Sequence, residues 1–388
     1  MGVSEHQGAG SGEPDSTGMS RGAEPRAWGV TDPNEAHALA ERDEDAPALE
    51  DRDPLLSTLP MELYDTAEGD PGESVSARLL SEISSASMRV ASCPMGLLQR
   101  VAFEARVTYR IVWRDITASL LPATLFAMAA LQATGQWTAD SVATTLSRCF
   151  IYFSLYVYAF CLSNQIVGSA EDRVNKPDRV LPSGLITTRG AVIRWFVAMA
   201  LFPTVAWLLG RWPILRWALA WQAIFIGYNF LGFHRHWFTK NIVFITSGTV
   251  ALLAPAWELV APLDDTAWRW IVVIAVAFGA TLHLQDLRDI DGDRVVGRRT
   301  LPMVLGQERT RWFLAVTIGA FPAFMYFGLI HPAPLTTPVL VAQASLALIN
   351  IVVAVRTVTL RTRTDDHHTY MMHTYWFCAV LASGLVIL

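Results

Sequence analysis

Residues 241–261 read NIVFITSGTVALLAPAWELVA, a run in which Glu258 is the only charged side chain. A run of this length and polarity predicts a transmembrane helix, because about 20 mostly apolar residues are needed to cross the hydrocarbon core of a bilayer. A helix also satisfies its own backbone hydrogen bonds, which lipid cannot do. This stretch therefore predicts an integral membrane protein.

Runs of the same kind occupy most of the chain after Arg114. There are nine, at approximately 116–133, 144–164, 190–210, 213–233, 241–261, 267–284, 311–330, 335–355 and 369–388. The chain is 52% hydrophobic and only 17% charged, which is too apolar for an ordinary soluble enzyme. We therefore expect an all-α, polytopic membrane protein with nine transmembrane helices.

The loops between these runs differ in their content of basic residues. Loops after even-numbered runs, such as HRHWFTK at 234–240, carry Lys and Arg, whereas loops after odd-numbered runs, such as HPAP at 331–334, are nearly bare of them. The positive-inside rule then places the even loops and the N-terminal tail in the cytoplasm. Residues 97–113 mix apolar and basic positions and predict an interfacial helix.

Residues 1–90 differ in composition from the membrane domain predicted at 91–388. The first 75 residues hold 18 Asp and Glu against 4 Arg, with few aromatic residues and no sustained period. Such a segment buries too little apolar surface to fold, so we expect a disordered acidic tail, with a regulatory or partner-binding role as the alternative. No basic region precedes an apolar run, so the tail does not predict a cleavable signal.

The cysteines indicate neither a disulfide framework nor a zinc site. Cys93, Cys149, Cys161 and Cys378 are scattered without CxxC or Cys/His spacing.

We expect the lipid bilayer to surround the protein and expect no nucleic-acid partner.

Two acidic segments follow even-numbered runs and are similar to each other. EDRVNKPDRVLP at 171–182 and GDRVVGRRTLP at 292–302 share Asp-Arg-Val at one end and Leu-Pro at the other. The repeat indicates two related half-units whose corresponding loops lie on the same membrane face. Seven acidic residues lie in or beside these segments: Glu171, Asp172, Asp178, Asp286, Asp289, Asp291 and Asp293.

The spacing of these acids places them on common helix faces. Asn164 and Asp172 are eight residues apart, with Glu171 next to Asp172, while Asp286, Asp289 and Asp293 lie at i, i+3 and i+7. Carboxylates stacked in this way repel one another unless a cation lies among them. Magnesium prefers carboxylate oxygens and takes water or phosphate oxygens as its other ligands. Each cluster is followed by Lys or Arg, so together they predict a site for a magnesium-diphosphate group.

Other interpretations of these segments exist. Both loops are also compatible with solvated cytoplasmic turns, which favour Asp, and with a transporter that relays cations through intramembrane acids. Against a transporter, the acids cluster at loop ends, and the interiors of the runs hold almost no acid except Glu258. A third cytoplasmic segment, 228–241, offers Tyr228 and Lys240 either to a diphosphate or to an interfacial belt of aromatic and basic residues.

The motifs resemble those of the UbiA superfamily of intramembrane prenyltransferases. NQIVGSAEDRVNKPDRVLPSG is similar to the first signature of that family, and QDLRDIDGDRVVGRRTLP is similar to the second. The resemblance covers about residues 100–388. It implies an all-α bundle of nine helices around a central cavity, with the two motif loops as a cytoplasmic cap and magnesium-dependent use of isoprenyl diphosphates.

Site residues follow from the resemblance position by position. The metal-binding positions are Asn164 and Asp172 in the first motif and Asp286, Asp289 and Asp293 in the second. The diphosphate-binding positions are Lys176, Arg179, Lys240 and, as a weaker match, Arg114. To these we add Arg298, from the basic residues after the second cluster, and Tyr228, from the segment 228–241. Gly168 stands where the family has the middle Asp of the first motif, so we include Glu171 among the metal ligands.

The Gly168 departure, together with WRDITASLLPATLFA at 113–127, resembles the branch of the family that contains membrane-bound terpene cyclases. The implied function is ionisation of farnesyl or geranylgeranyl diphosphate with Mg²⁺, release of diphosphate and intramolecular cyclisation to a terpene. Transfer of the isoprenyl group to an aromatic acceptor is the alternative, and transport is a remote one.

Overall fold

The computed structural model of this chain describes residues 96–331 and 333–388, so the predicted tail at 1–90 and Cys93 lie outside the described residues. The described part has no β-strand and contains one isolated bridge, between His236 and Arg299. The α-helices, in chain order, are α1 (Leu97–Val112), α2 (Leu120–Ala133), α3 (Ala139–Val167), α4 (Ser169–Asn175), α5 (Thr188–Phe230), α6 (Thr246–Glu258), α7 (Asp265–Thr281), α8 (Leu284–Arg288), α9 (Ile290–Val295), α10 (Leu301–Leu305), α11 (Gln307–Met325), α12 (Thr337–Thr359) and α13 (Arg363–Ile387). π-helical turns at Phe238–Ile245 and Tyr326–Ile330 adjoin α6 and α11.

The first helix forms where the sequence predicts one, and its position at the membrane interface stays a prediction. On α1, Val107 and Ile111 are buried, whereas Leu97, Leu98 and Val101 are exposed. One face of the helix therefore packs on the bundle and another presents apolar side chains outward, as a helix lying at a membrane surface does.

Eight helices within the described residues are long and apolar enough to cross a membrane, and one of them doubles back on itself. Helix α5 contains 43 residues, and its backbone leaves helical geometry at Gly210 and at Arg211, whose φ is 56°. The Gln222 side chain donates to the Met199 carbonyl over 2.8 Å. In a straight helix these residues would be about 35 Å apart. The two halves of α5 are therefore antiparallel neighbours and correspond to the predicted runs 190–210 and 213–233.

The long helices form a closed ring. Within the described part, the packing order is α2, α3, α5, α6, α7, α11, α12 and α13, and α13 returns to pack on α2. The last contact is close: a Cβ at Gly384 would lie 2.7 Å from the Ala129 Cβ. Small residues let helix backbones approach in this way, and van der Waals packing then holds the ring together in lipid.

Short helices follow α3 and α7 at one end of this ring. α4 succeeds α3 in the first acidic segment, and α8 and α9 succeed α7 in the second. Nearby, the Trp237 N–H donates to the Arg299 carbonyl over 2.9 Å, and the Arg299 N–H donates to the Arg235 carbonyl over 2.8 Å. The loop after α5 and the loop after α9 are thus joined beside the two acidic segments.

Candidate active site

A cavity of about 540 Å³ lies inside the ring. On α3, Tyr156, Phe160 and Asn164 line it at i, i+4 and i+8, so it runs along the last turns of that helix toward the first acidic segment. Its aromatic wall also includes Trp221, Tyr228 and Phe244. The cavity is therefore apolar in its depth and polar toward the acidic segments.

The aromatic wall is held in a fixed arrangement. Tyr156 and Trp221 stack with ring centroids 4.3 Å apart, and Tyr228 stacks on Phe244 at 3.8 Å. The Tyr156 hydroxyl donates to the Gly248 carbonyl over 3.1 Å, and the Trp221 indole N–H donates to the Tyr156 carbonyl over 3.1 Å. Both residues line the cavity, and their polar groups are satisfied by backbone carbonyls.

In the first acidic segment, two buried carboxylates are paired with arginine. Both carboxylate oxygens of Asp172 accept hydrogen bonds from Arg179 Nη1, at 2.8 and 2.9 Å. Glu171 Oε2 lies 2.5 Å from Arg298 Nη1. Burial acts to raise the pKa of Glu171, but Arg298 and Lys176 outweigh it, and the pKa lies below its ordinary value. Glu171 is therefore held as a carboxylate.

The second acidic segment is organised around Lys240 and Asn241. Asp286 accepts from Lys240 Nζ and from Asn241 Nδ2, each over 2.7 Å. Lys240 Nζ also lies 3.8 Å from Asp293 Oδ2. The ammonium group of Lys240 therefore lies close to the carboxylates of both Asp286 and Asp293.

Two cations stabilise the carboxylate of Asp289. Arg288 contacts both of its oxygens, at 2.7 and 2.8 Å, and Lys176 lies 3.7 Å away. Burial acts to raise the pKa of Asp289, but Lys176 and Arg288 hold it well below the usual range. Asp289 is therefore ionised wherever the protein is folded at neutral pH.

Three contacts join the two acidic segments directly. Arg298 Nη1 reaches Asp293 Oδ1 at 3.1 Å as well as Glu171, Lys176 pairs with Asp289 across the gap, and Asn175 Nδ2 donates to the Asp289 carbonyl over 3.2 Å. The approach is tight, because a side chain on Gly292 would overlap Asn175. The predicted metal-binding acids therefore form one buried cluster.

The structure places the predicted cations in two groups. Lys176, Arg179 and Arg114 line the cavity, as does Tyr228, and Arg114 pairs with Asp178 over 2.7 Å at a partly exposed position. Lys240 and Arg298 are buried among the carboxylates and do not line the cavity.

Sequence reasoning missed Arg288 and Asp115, both of which line the cavity. Arg288 Nη1 donates to His367 Nδ1 over 3.0 Å, and its guanidinium lies 5.0 Å from the Tyr370 ring centroid. Its position between Asp286 and Asp289 was a usable signal for Arg288. For Asp115, the adjacency to Arg114 was the only signal.

The donor set of the cluster suits magnesium. Carboxylate oxygens are the ligands that this ion prefers, and it keeps water or phosphate oxygens for the rest of its shell. Asp293 Oδ2 is buried without a hydrogen-bond partner, which leaves an acceptor for a cation. In the described residues, no three His, Cys, Asp or Glu side chains converge on a single ion position, because Lys and Arg lie between the acids.

Comparison with known proteins agrees with these features. The model of the UbiA prenyltransferase family matches residues 119–377. The chain is 38% identical to somaliensene A/B synthase of Streptomyces somaliensis, over 73% of this chain and 97% of that protein. It is 35% identical to the diterpene cyclase eriG of Hericium erinaceus, over 74% of this chain and 90% of that protein.

A solved structure shares the fold. It is a UbiA homologue from Aeropyrum pernix K1, 18% identical, covering 70% of this chain and 98% of the other, with a TM-score of 0.50. The helical ring, its cavity and the two paired acidic segments are thus found in a chain that matches the family model over most of its described residues. The protein is an integral membrane enzyme that belongs to the UbiA prenyltransferase family.

Proposed function

We propose that this protein is a membrane-bound terpene cyclase of the class I type, which ionises farnesyl or geranylgeranyl diphosphate, releases diphosphate and closes the isoprenyl chain on itself. The observation that carries the proposal is the meeting of two acidic segments, with their cations, at the polar end of an aromatic cavity. The names of the two relatives, a somaliensene synthase and a diterpene cyclase, support cyclisation.

The diphosphate end of the substrate is assigned to the acidic cluster. Asn164, Glu171, Asp172, Asp286, Asp289 and Asp293 would hold magnesium, which would neutralise charge developing on the leaving diphosphate. Lys176, Arg179 and Arg114, which line the cavity, bind diphosphate oxygens by charge-assisted hydrogen bonds, and Lys240 and Arg298 add positive charge from among the carboxylates. Arg288 orients Asp289 through its two contacts with that carboxylate.

The isoprenyl chain is assigned to the aromatic cavity. Its walls exclude water, which would otherwise capture the allylic cation as an alcohol. The ring faces of Tyr156, Phe160, Trp221, Tyr228 and Phe244 attract positive charge that moves along the chain during cyclisation. The fixed stacking of these rings lets the protein select one folded shape of the substrate.

We also propose a topology for this domain, which we take to begin near residue 91. Each half of α5 is about 20 residues long, enough to cross the hydrocarbon core, so the chain would cross nine times with a turn at Gly210 and Arg211. In this topology both acidic segments and the N-terminal tail lie on the cytoplasmic side, an orientation that the basic residues of the loops support.

The test uses purified membranes that contain the full-length chain, incubated with Mg²⁺ and either farnesyl or geranylgeranyl diphosphate and no acceptor. Extracted hydrocarbons are identified by mass spectrometry, and released diphosphate is measured in parallel. A cyclic terpene that is absent from membranes without the protein supports the proposal. Product that forms only after an aromatic acceptor is added would replace cyclisation by prenyl transfer.

A further inference from the structure

Among the described residues that line the cavity, Asp115 is the only one with a carboxylate. The acids of the two segments do not line the cavity, whereas several of the cations paired with them do. Asp115 therefore differs from them in position, and the proposed roles in metal and diphosphate binding do not account for it.

The local structure does not use the Asp115 side chain. Asp115 occupies the N-cap of the 3₁₀ turn Ile116–Ala118, yet its side chain accepts no capping hydrogen bond. An aspartate at that place ordinarily accepts from a backbone N–H of the following turn. Helix capping thus does not explain this carboxylate.

The polar side-chain partner of the Asp115 carboxylate within the described ranges is the Cys161 thiol, with Sγ 3.3 Å from Oδ2. A thiol is a weak donor. The segment acids, by contrast, are matched with Lys or Arg at 2.5 to 3.1 Å. Within the described ranges, no Lys or Arg side chain donates a hydrogen bond to the Asp115 carboxylate.

The position of Asp115 is close to the cation-rich end of the cavity. Burial acts to lower the pKa of Arg179, and Asp172 and then Asp115 raise it above its ordinary value. Asp115 also follows directly on Arg114, which lines the same cavity. A carboxylate here lies on the cavity that is assigned to the isoprenyl chain, together with the cations assigned to the diphosphate.

We infer that Asp115 is the base that ends the reaction, an inference that rests on the proposed cyclase function. The cyclised carbocation loses a proton from a carbon next to its cationic centre. The electrons of that C–H bond form the new C=C bond, the proton passes to a carboxylate oxygen of Asp115, and Asp115 then returns it to solvent. No oxidant or further reactant is consumed.

The test separates ionisation from proton removal. Full-length wild type and Asp115→Asn are assayed in the same membranes, with Mg²⁺ and the isoprenyl diphosphate that wild type accepts, for released diphosphate and for hydrocarbon products. Asp115→Asn should still release diphosphate, while the wild-type cyclic alkene falls about 100-fold or more. Alternative alkenes or alcohols should replace it, and Asp115→Glu should restore part of the wild-type product.

Asp140→Asn is the matched control, since Asp140 is an exposed acid in the first turn of α3, far from Asn164 on the same helix. It should leave both readouts unchanged. An unaltered product profile in Asp115→Asn would assign proton removal to another group, such as the released diphosphate, and overturn the inference. Equal loss of diphosphate release and product in a folded variant would also overturn it. A wild type that yields no hydrocarbon would instead reject the proposed function itself.

Discussion

Arg298 Nη1 lies 2.5 Å from Glu171 Oε2, so that a residue of the second acidic segment neutralises a carboxylate of the first. Both side chains are buried. Arg298 also reaches Asp293, and the pair therefore fixes how far apart the acids of the two segments can lie.

Replacing Arg298 by Ala should destabilise the protein and abolish diphosphate release. The change leaves Glu171 buried without its paired cation and removes one of the two cations beside Asp293, and breaking a buried pair typically costs about 3–5 kcal/mol. Thermal unfolding in detergent and diphosphate release in membranes measure the two effects. Arg361→Ala is the control, because Arg361 pairs with Glu308 at an exposed site. Equal effects of both variants would contradict the role of the buried pair.

Asp289→Ala should reduce diphosphate release by at least about 100-fold, because it removes a buried carboxylate from the site where charge develops. Asp291→Ala, in the same segment, should leave release nearly unchanged since Asp291 is exposed. Release by membranes normalised for protein amount distinguishes the two. Retained turnover in Asp289→Ala would reject Asp289 as a metal ligand.

The depressed pKa of Asp289 predicts an acid-dependent loss of stability. A carboxyl group whose pKa is lower in the folded state stabilises the fold fully above its unfolded pKa, about 4 for Asp. That stability is lost as the pH falls toward the folded value. The melting temperature should therefore decrease below about pH 4, and Asp289→Asn should weaken this dependence. The dependence should persist in the Asp291→Asn control.

Restoring an acid at Gly168 should impair the first segment. A Cβ at this position would lie 2.8 Å from the Asn164 carbonyl and 3.7 Å from Glu171 Oε2. Gly168→Ala tests the steric part, and Gly168→Asp adds repulsion with Glu171. We expect diphosphate release to decrease in the order wild type, Gly168→Ala, Gly168→Asp. Higher release by Gly168→Asp than by wild type would show that the extra carboxylate binds metal there.

The family, the helical class and the membership of the acidic cluster were predictable from the sequence. Apolar runs near the bilayer thickness identify helices without any tertiary information. The repeat in 171–182 and 292–302 placed Asp172 and Asp293 at the same end of the bundle, as the structure has them. The family prediction is confirmed by the match over residues 119–377.

The pairing inside the cluster was not predictable. Lys240 lies between Asp286 and Asp293, and Arg298 lies between Glu171 and Asp293, because the tertiary fold brings parts of the chain that are distant in sequence together. No periodicity within one segment encodes such contacts. Asp115 was missed for the same reason: its exposure to the cavity depends on how the ring closes, and its sequence neighbours only mark a membrane boundary.

The closure of the ring by α13 has a consequence for biosynthesis. The cavity wall includes Tyr370, Met371 and Tyr375 from this helix, which is C-terminal to every other helix of the ring. A nascent chain emerging in order from the ribosome therefore has its aromatic chamber open sideways to lipid until α13 docks at Ala129. Ionisation of the substrate needs an enclosed apolar cavity and is thus confined to molecules in which α13 has docked. A partly synthesised chain therefore does not form the reactive cation.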